Sequence, residues 1–285
     1  MIFDPRPCTL GEGVFWHPKR NQLFWFDILQ SKLLSNTAAG PEEWTFPEMV
    51  SAAGWASEEE LVIACESGLM LFNLTTGRRK PLTTLSAGQP ATRSNDGRAD
   101  RQGGFWWGTM GKRGGDDPGR GAIWRYYRGQ VRCIFPGLTI PNSICFSLDG
   151  RFAHFSDTLT HRVMRVALDP DGWPVGAPEV FLDLTAERLL PDGATIDAKG
   201  VMWLAQWGMS RVVAVEPNSR ISQIIQVPAP HSSCAGFGGP DLATLYITSA
   251  REGMTAEALA ANPEAGKTFA VTVAASGVAE PRVVL

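Results

Sequence analysis

The segment Asn142–Thr158 reads NSICFSLDGRFAHFSDT. It opens on polar residues, alternates into a short strand, turns at Asp149-Gly150 and leaves through Phe152-Ala153-His154-Phe155. Gly and Asx residues supply the positive φ that tight hairpin turns demand, so the stretch is a β-hairpin. The same design occurs at Gly13–Leu29, Ala53–Gly68, Asp96–Met110, Asp192–Gly208 and Ala235–Ala250. The second strands are rich in aromatic and branched residues, as in Leu23-Phe24-Trp25-Phe26 and Leu245-Tyr246-Ile247-Thr248. Hairpins returning roughly every 41–50 residues have the period of propeller blades. Further strand pairs lie between them, such as Arg162–Asp169 with Val180–Leu182, and Arg211–Pro217 with Ser222–Pro228. Each period thus holds about four short strands, which is one blade.

The expected fold is therefore all-β, a six-bladed β-propeller forming a single domain over residues 1–285. A β-sandwich also alternates, but it does not repeat one internal pattern six times. Ring closure requires the two ends of the chain to share a blade, since an open edge strand invites aggregation. Thr268–Ala274 and the first residues are the candidates. Thr255–Pro263 departs from the pattern: a Thr cap, good helix formers and a Pro stop predict one short helix.

Composition agrees with a globular chain: 285 residues, 44% hydrophobic and 19% charged. A chain of this length buries about three quarters of its unfolded surface and needs no covalent staple. Thirty glycines, 20 prolines and 10 tryptophans fit a turn-rich, aromatic-packed repeat protein. The net charge of −3 is spread along the chain, leaving no electrostatic footprint for nucleic acid or a membrane surface. Met1–Pro7 lacks a signal-peptide pattern, and no apolar run approaches the ~20 residues of a membrane span. The five cysteines show no C-x-x-C spacing, which predicts reduced thiols in a cytoplasmic protein.

Innermost strands of a propeller line its channel, and here the residues entering them are polar: Glu12, Asn95 with Asp96, Asn142 and Asp192. Rigid neighbours flank several of them, as in Gly11-Glu12-Gly13, Pro141-Asn142 and Pro191-Asp192-Gly193. Any one alone is ordinary turn chemistry; their recurrence in different blades carries the weight. Carboxylates crowded in a channel raise one another's pKa, and a cation removes the conflict. Carboxylate and amide oxygens suit Ca²⁺, Mg²⁺ or Mn²⁺, with Zn²⁺ also accommodated. His17, His154, His161 and His231 lack ligand spacing and are expected on the surface or packed. There is no Gly-x-Ser-x-Gly elbow.

Five motifs in order make the chain resemble the SMP-30/gluconolactonase/regucalcin family. They are Leu10-Gly11-Glu12-Gly13; Arg93–Gly97 with Gly108-Thr109-Met110; Ile140–Ile144 through Phe155–Thr158; Leu190–Gly193 with Asp197–Gly200; and Phe237–Leu242 with Leu245–Ala250. The resemblance covers nearly the whole chain. It implies hydrolysis of a small-molecule sugar-acid lactone with one divalent cation, Ca²⁺ foremost, held by Glu12, Asn142 and Asp192. It also implies that Arg93 and Asn95 reach the substrate. On that reading Asp192 and Arg93 are the catalytic pair, Asp192 orienting or deprotonating the water and Arg93 stabilising the developing oxyanion or holding a ring oxygen. Where some relatives carry an acidic substrate contact after Gly-Thr-Met, this chain has Gly111-Lys112-Arg113, with acids only at Asp116 and Asp117. Arg113 is accordingly a candidate substrate contact favouring an anionic lactone, against the plainer reading of a solvated loop. The alternatives are a broader metal-dependent esterase and a non-catalytic metal-binding propeller. A monomer or weak homo-oligomer is expected.

Overall fold

The computed structural model describes residues 1–85 and 91–285. It contains six four-stranded antiparallel sheets arranged as the blades of a propeller. The first blade is β2–β5 (Gly11–His17, Gln22–Asp27, Lys32–Thr37, Gly40–Thr45). The second is β6–β9 (Val50–Trp55, Glu60–Cys65, Gly68–Asn73, Arg79–Thr84) and the third β10–β13 (Thr92–Ala99, Phe105–Gly111, Gly121–Tyr127, Gln130–Leu138). The fourth is β14–β17 (Pro141–Phe146, Phe152–Asp157, Arg162–Leu168, Pro174–Asp183) and the fifth β18–β21 (Leu190–Ile196, Met202–Trp207, Arg211–Val215, Ile221–Gln226). The sixth combines β22–β24 (His231–Gly238, Thr244–Ala250, Thr268–Thr272) with β1 (Ile2–Asp4) on its outer edge. Ile2 pairs with Phe269, so the two ends of the chain close the ring at the expected strand. The predicted helix is α1 (Ala256–Ala261), with the Thr255 hydroxyl accepting from Ala258 N–H at 3.2 Å. Among the described residues no helix is long and apolar enough to cross a membrane, and all five cysteines are free.

Among the described residues, apolar side chains form six clusters, each drawn mainly from two adjacent blades. Trp106 and Ile123 of the third blade meet Ile144 and Ala153 of the fourth, for example. Both faces of a blade are therefore covered, and β3 is buried along its whole length. That is why second strands read as continuous apolar runs instead of alternating. Aspartates at the ends of innermost strands tie these layers to the turns. Asp100 and Asp197 each accept from a tryptophan Nε1–H six residues on, Trp106 and Trp203, both at 3.0 Å. Asp100 also takes Arg125 Nε at 2.7 Å in an ion pair fully shielded from solvent.

The C-terminal tail runs across the face opposite the strand entries. Ser276 O accepts from Ala198 N–H, Trp55 Nε1–H reaches Glu280 O at 2.8 Å, and Val283 N–H reaches Trp55 O at 2.9 Å. Glu280 ion-pairs with Arg98 of β10, and Val283 is completely buried. The repeat pattern carried no sign of this tail, because it has no strand of its own.

Candidate active site

All six side chains singled out from the sequence, Glu12, Arg93, Asn95, Arg113, Asn142 and Asp192, line one cavity of about 590 Å³. It opens where the innermost strands begin. The register shifts near the start of every innermost strand, between Glu12 and Phe15, Val50 and Ala52, Ser94 and Gly97, Asn142 and Cys145, Pro191 and Ala194, and Ser232 and Ala235. A β-bulge re-aims side chains at the rim of a sheet. Asn95 and Asp192 sit inside their bulges, while Glu12 and Asn142 immediately precede theirs. The ring is thus built from two successive positions, not from the single equivalent position that the sequence pattern suggested. Gly13, the bulge residue after Glu12, has φ +57°, and a Cβ there would overlap the Ser51 carbonyl oxygen. In the fourth blade that place is taken by Ser143 at φ +58°, whose hydroxyl donates to Asp192 O at 2.6 Å.

Two aspartates fix the approach to Glu12 and Asn142. Asp27 accepts from Thr9 N–H at 2.8 Å and Leu10 N–H at 3.1 Å. Asp157 does the same for Thr139 and Ile140, both at 2.9 Å. Both carboxylates end the second strand of a blade and anchor the chain two residues before the functional side chain. Across the cavity Arg93 Nη1 donates to Asn95 Oδ1 at 2.7 Å, and Asn95 Nδ2 donates to Asn142 Oδ1 at 2.9 Å. Asn142 Nδ2 donates to Thr158 Oγ1 at 2.9 Å. Asp96 turns away from the cavity, accepting from Ile144 N–H at 2.7 Å and Gly97 N–H at 2.8 Å.

The electrostatics are strained in a way that fits a cation. Burial, and then the negative charge of Asp96, push the Glu12 carboxyl up to about 8, against a smaller opposing pull from Arg93. Asp192 is raised well above the carboxylate range by burial and by Glu12 and Asp96. The N–H donors that ease this are those of the following glycines, Gly13 and Gly193. Among the described residues no three His, Cys, Asp or Glu side chains form a metal cage. The cavity offers instead the oxygens of two carboxylates and of the Asn142 amide, a hard-oxygen set with the chemistry that suits a divalent ion.

Sequence reading overlooked several lining residues: Thr158, Trp207, His231 and Glu252. Three of these four end or closely follow the second strand of a blade, which runs antiparallel to the innermost strand and so ends at the same mouth. That rule was available from the hairpin pattern. His231, at the start of β22, stacks on Trp207 with ring centroids 4.2 Å apart. Arg113 reaches the rim, but its Nε and Nη2 are held by Asp117 Oδ1 at 3.1 and 2.6 Å. Lys112 Nζ is likewise paired with Glu66 at 2.8 Å.

The profile of the SMP-30/Gluconolactonase/LRE-like region matches residues 10–251. The chain belongs to this family. SMP-30/gluconolactonase-like relatives span it almost end to end. One is the 6-deoxy-6-sulfogluconolactonase of Pseudomonas putida, 34% identical over 97% of this chain and 95% of the relative. Another is the L-arabinolactonase of Azospirillum brasilense, 33% identical over 99% and 94%. Among solved structures, a calcium-binding protein of the family, regucalcin from Agrobacterium tumefaciens, superposes with TM-score 0.96 at 37% identity, covering 100% of this chain and 97% of that one.

Proposed function

We propose that the chain is a sugar-lactone hydrolase working with one divalent cation held by Glu12, Asn142 and Asp192. One observation carries this reading: two carboxylates, raised first by burial and then by neighbouring negative charge, share a cavity with a buried arginine and an oriented amide. Relatives named for lactonase activity support the substrate class. The calcium-binding relative and the all-oxygen donor set favour Ca²⁺, with Zn²⁺, Mn²⁺ and Mg²⁺ as competitors. When bound, such an ion polarises an ester carbonyl and makes nearby water more acidic.

The protein groups then have distinct tasks. Asp192 accepts a proton from the water whose oxygen attacks the carbonyl carbon. Arg93 uses the guanidinium N–H groups not engaged by Ser94 and Asn95 to hold the developing oxyanion. As the ring C–O bond breaks, the proton on Asp192 passes to the departing ring oxygen, leaving the open hydroxy acid. Burial of Arg93 lowers its pKa, with Glu252, Glu12 and Asp192 opposing, and keeps its charge in a low-dielectric wall where it acts strongly.

The test is turnover of aldonolactones and aryl esters with and without chelator, on wild type and Asp192→Ala. Loss of both cation uptake and lactone turnover in the variant is expected. Full activity in Asp192→Ala would sink the mechanism, and cation uptake without any ester turnover by wild type would favour a binding protein instead.

A further inference from the structure

We infer that Glu252 sets substrate charge, making the site selective for uncharged polyol lactones over lactones bearing a second acid group; this rests on the lactonase reading above. Glu252 lies just past β23 and lines the cavity with Glu12, Arg93 and Asp192. Its backbone is fixed: Glu252 N–H and Arg251 N–H both donate to Thr9 O, at 2.9 and 3.0 Å, beside the clamp that positions Glu12. Its carboxylate has no hydrogen-bond or ion-pair partner among the described residues, whereas the other charged groups at the mouth are taken. Lys112 pairs with Glu66 and Arg113 with Asp117. Deeper in the channel Arg98, which faces Asp96, is bound by Glu280.

Charge bookkeeping follows directly. A divalent ion cancels Glu12 and Asp192. Glu252 cancels Arg93, on which it exerts the largest attraction of any side chain. Lys112 and Arg113 are already neutralised, so they offer no free cation for a second carboxylate or a sulfonate. The loaded cavity has no positive charge left over, and a free carboxylate oxygen facing into it accepts hydrogen bonds from sugar hydroxyls while repelling anions. The product of lactone opening is itself an anion, so the same charge hastens its departure.

The experiment compares a neutral aldonolactone with the lactone of a sugar diacid at saturating cation, and measures calorimetric binding of the open aldonate to the cation-saturated protein. Wild type should prefer the neutral lactone in kcat/KM by about tenfold, the effect of one unit charge at cavity distance in a partly solvated site. Glu252→Gln should remove most of that preference and bind the aldonate about tenfold tighter. Glu252→Asp, which keeps the charge, should retain the wild-type preference. A wild-type preference for the diacid lactone, or a ratio and aldonate affinity unchanged in Glu252→Gln, overturns the inference while leaving the lactonase reading intact. Absence of turnover on every lactone overturns both.

Discussion

Asn95 on the third blade and Asn142 on the fourth share one hydrogen bond, Nδ2–H of Asn95 donating to Oδ1 of Asn142 at 2.9 Å. Because Nδ2 of Asn142 is simultaneously held by Thr158 Oγ1, the Asn142 amide has one orientation only. Its oxygen faces the cavity with a lone pair to spare. Two blades therefore fix the single oxygen proposed to hold the cation, and its hydrogen-bond partners can be tested alongside it.

Thr158→Val removes the acceptor of Asn142 Nδ2 and the donor to Pro191 O, which lies one residue before Asp192. Outer partners of metal ligands typically control 10- to 100-fold in affinity. Calorimetric titration with Ca²⁺ should show a loss of about that size. An affinity within twofold of wild type would mean that Thr158 does not orient Asn142.

Arg93→Ala should separate chemistry from cation binding. Removing a donor to a developing oxyanion costs roughly 10²–10³ in kcat. Steady-state kinetics should show a drop of that order, with cation affinity changed far less. Loss of the cation instead would assign Arg93 to holding the carboxylate ring together.

Glu280→Ala tests the tail. Arg98 and Glu280 are paired with side-chain exposures of 9% and 15%. Breaking a buried pair from one side costs about 3–5 kcal/mol, because the remaining charge is stranded. Urea denaturation should show a loss near the lower end of that range, since Asp96 still faces Arg98. Glu280→Gln should lose less.

His154 supplies a pH dependence distant from the cavity. Burial, aided by Arg165, lowers its pKa from 6.5 to about 3. A group whose folded pKa is depressed contributes stability that is present above its unfolded value and lost as pH falls toward the folded one. Stability should thus decline between about pH 6.5 and 3 partly through His154, whose buried Nδ1 has no hydrogen-bond partner among the described residues. His154→Gln should flatten that limb, read from urea midpoints at several pH values. An identical slope would assign acid lability to other groups.

Much of the fold was legible because blades are local. A hairpin declares itself through Asp149-Gly150 and the apolar run after it, and six copies at one spacing leave few architectures. The ring of Glu12, Asn95, Asn142 and Asp192 was legible for the same reason: each side chain lies within the first four residues of an innermost strand. Thr158, Trp207 and Glu252 were missed because attention stayed on strand starts, although antiparallel pairing brings the ends of second strands to the same mouth. Arg113 was picked as a charge near the site, and the fold gives that charge to Asp117.

The amino-acid order alone determined the number of blades, the closing strand and the polar residues facing the channel, since these follow from turn chemistry, alternation and period. Only the folded ring decided which charges remain free. Whether a carboxylate is clamped like Asp157, crowded like Glu12 or unpartnered like Glu252 depends on neighbours contributed by other blades, and electrostatic energy is set by distances through space that no local pattern encodes.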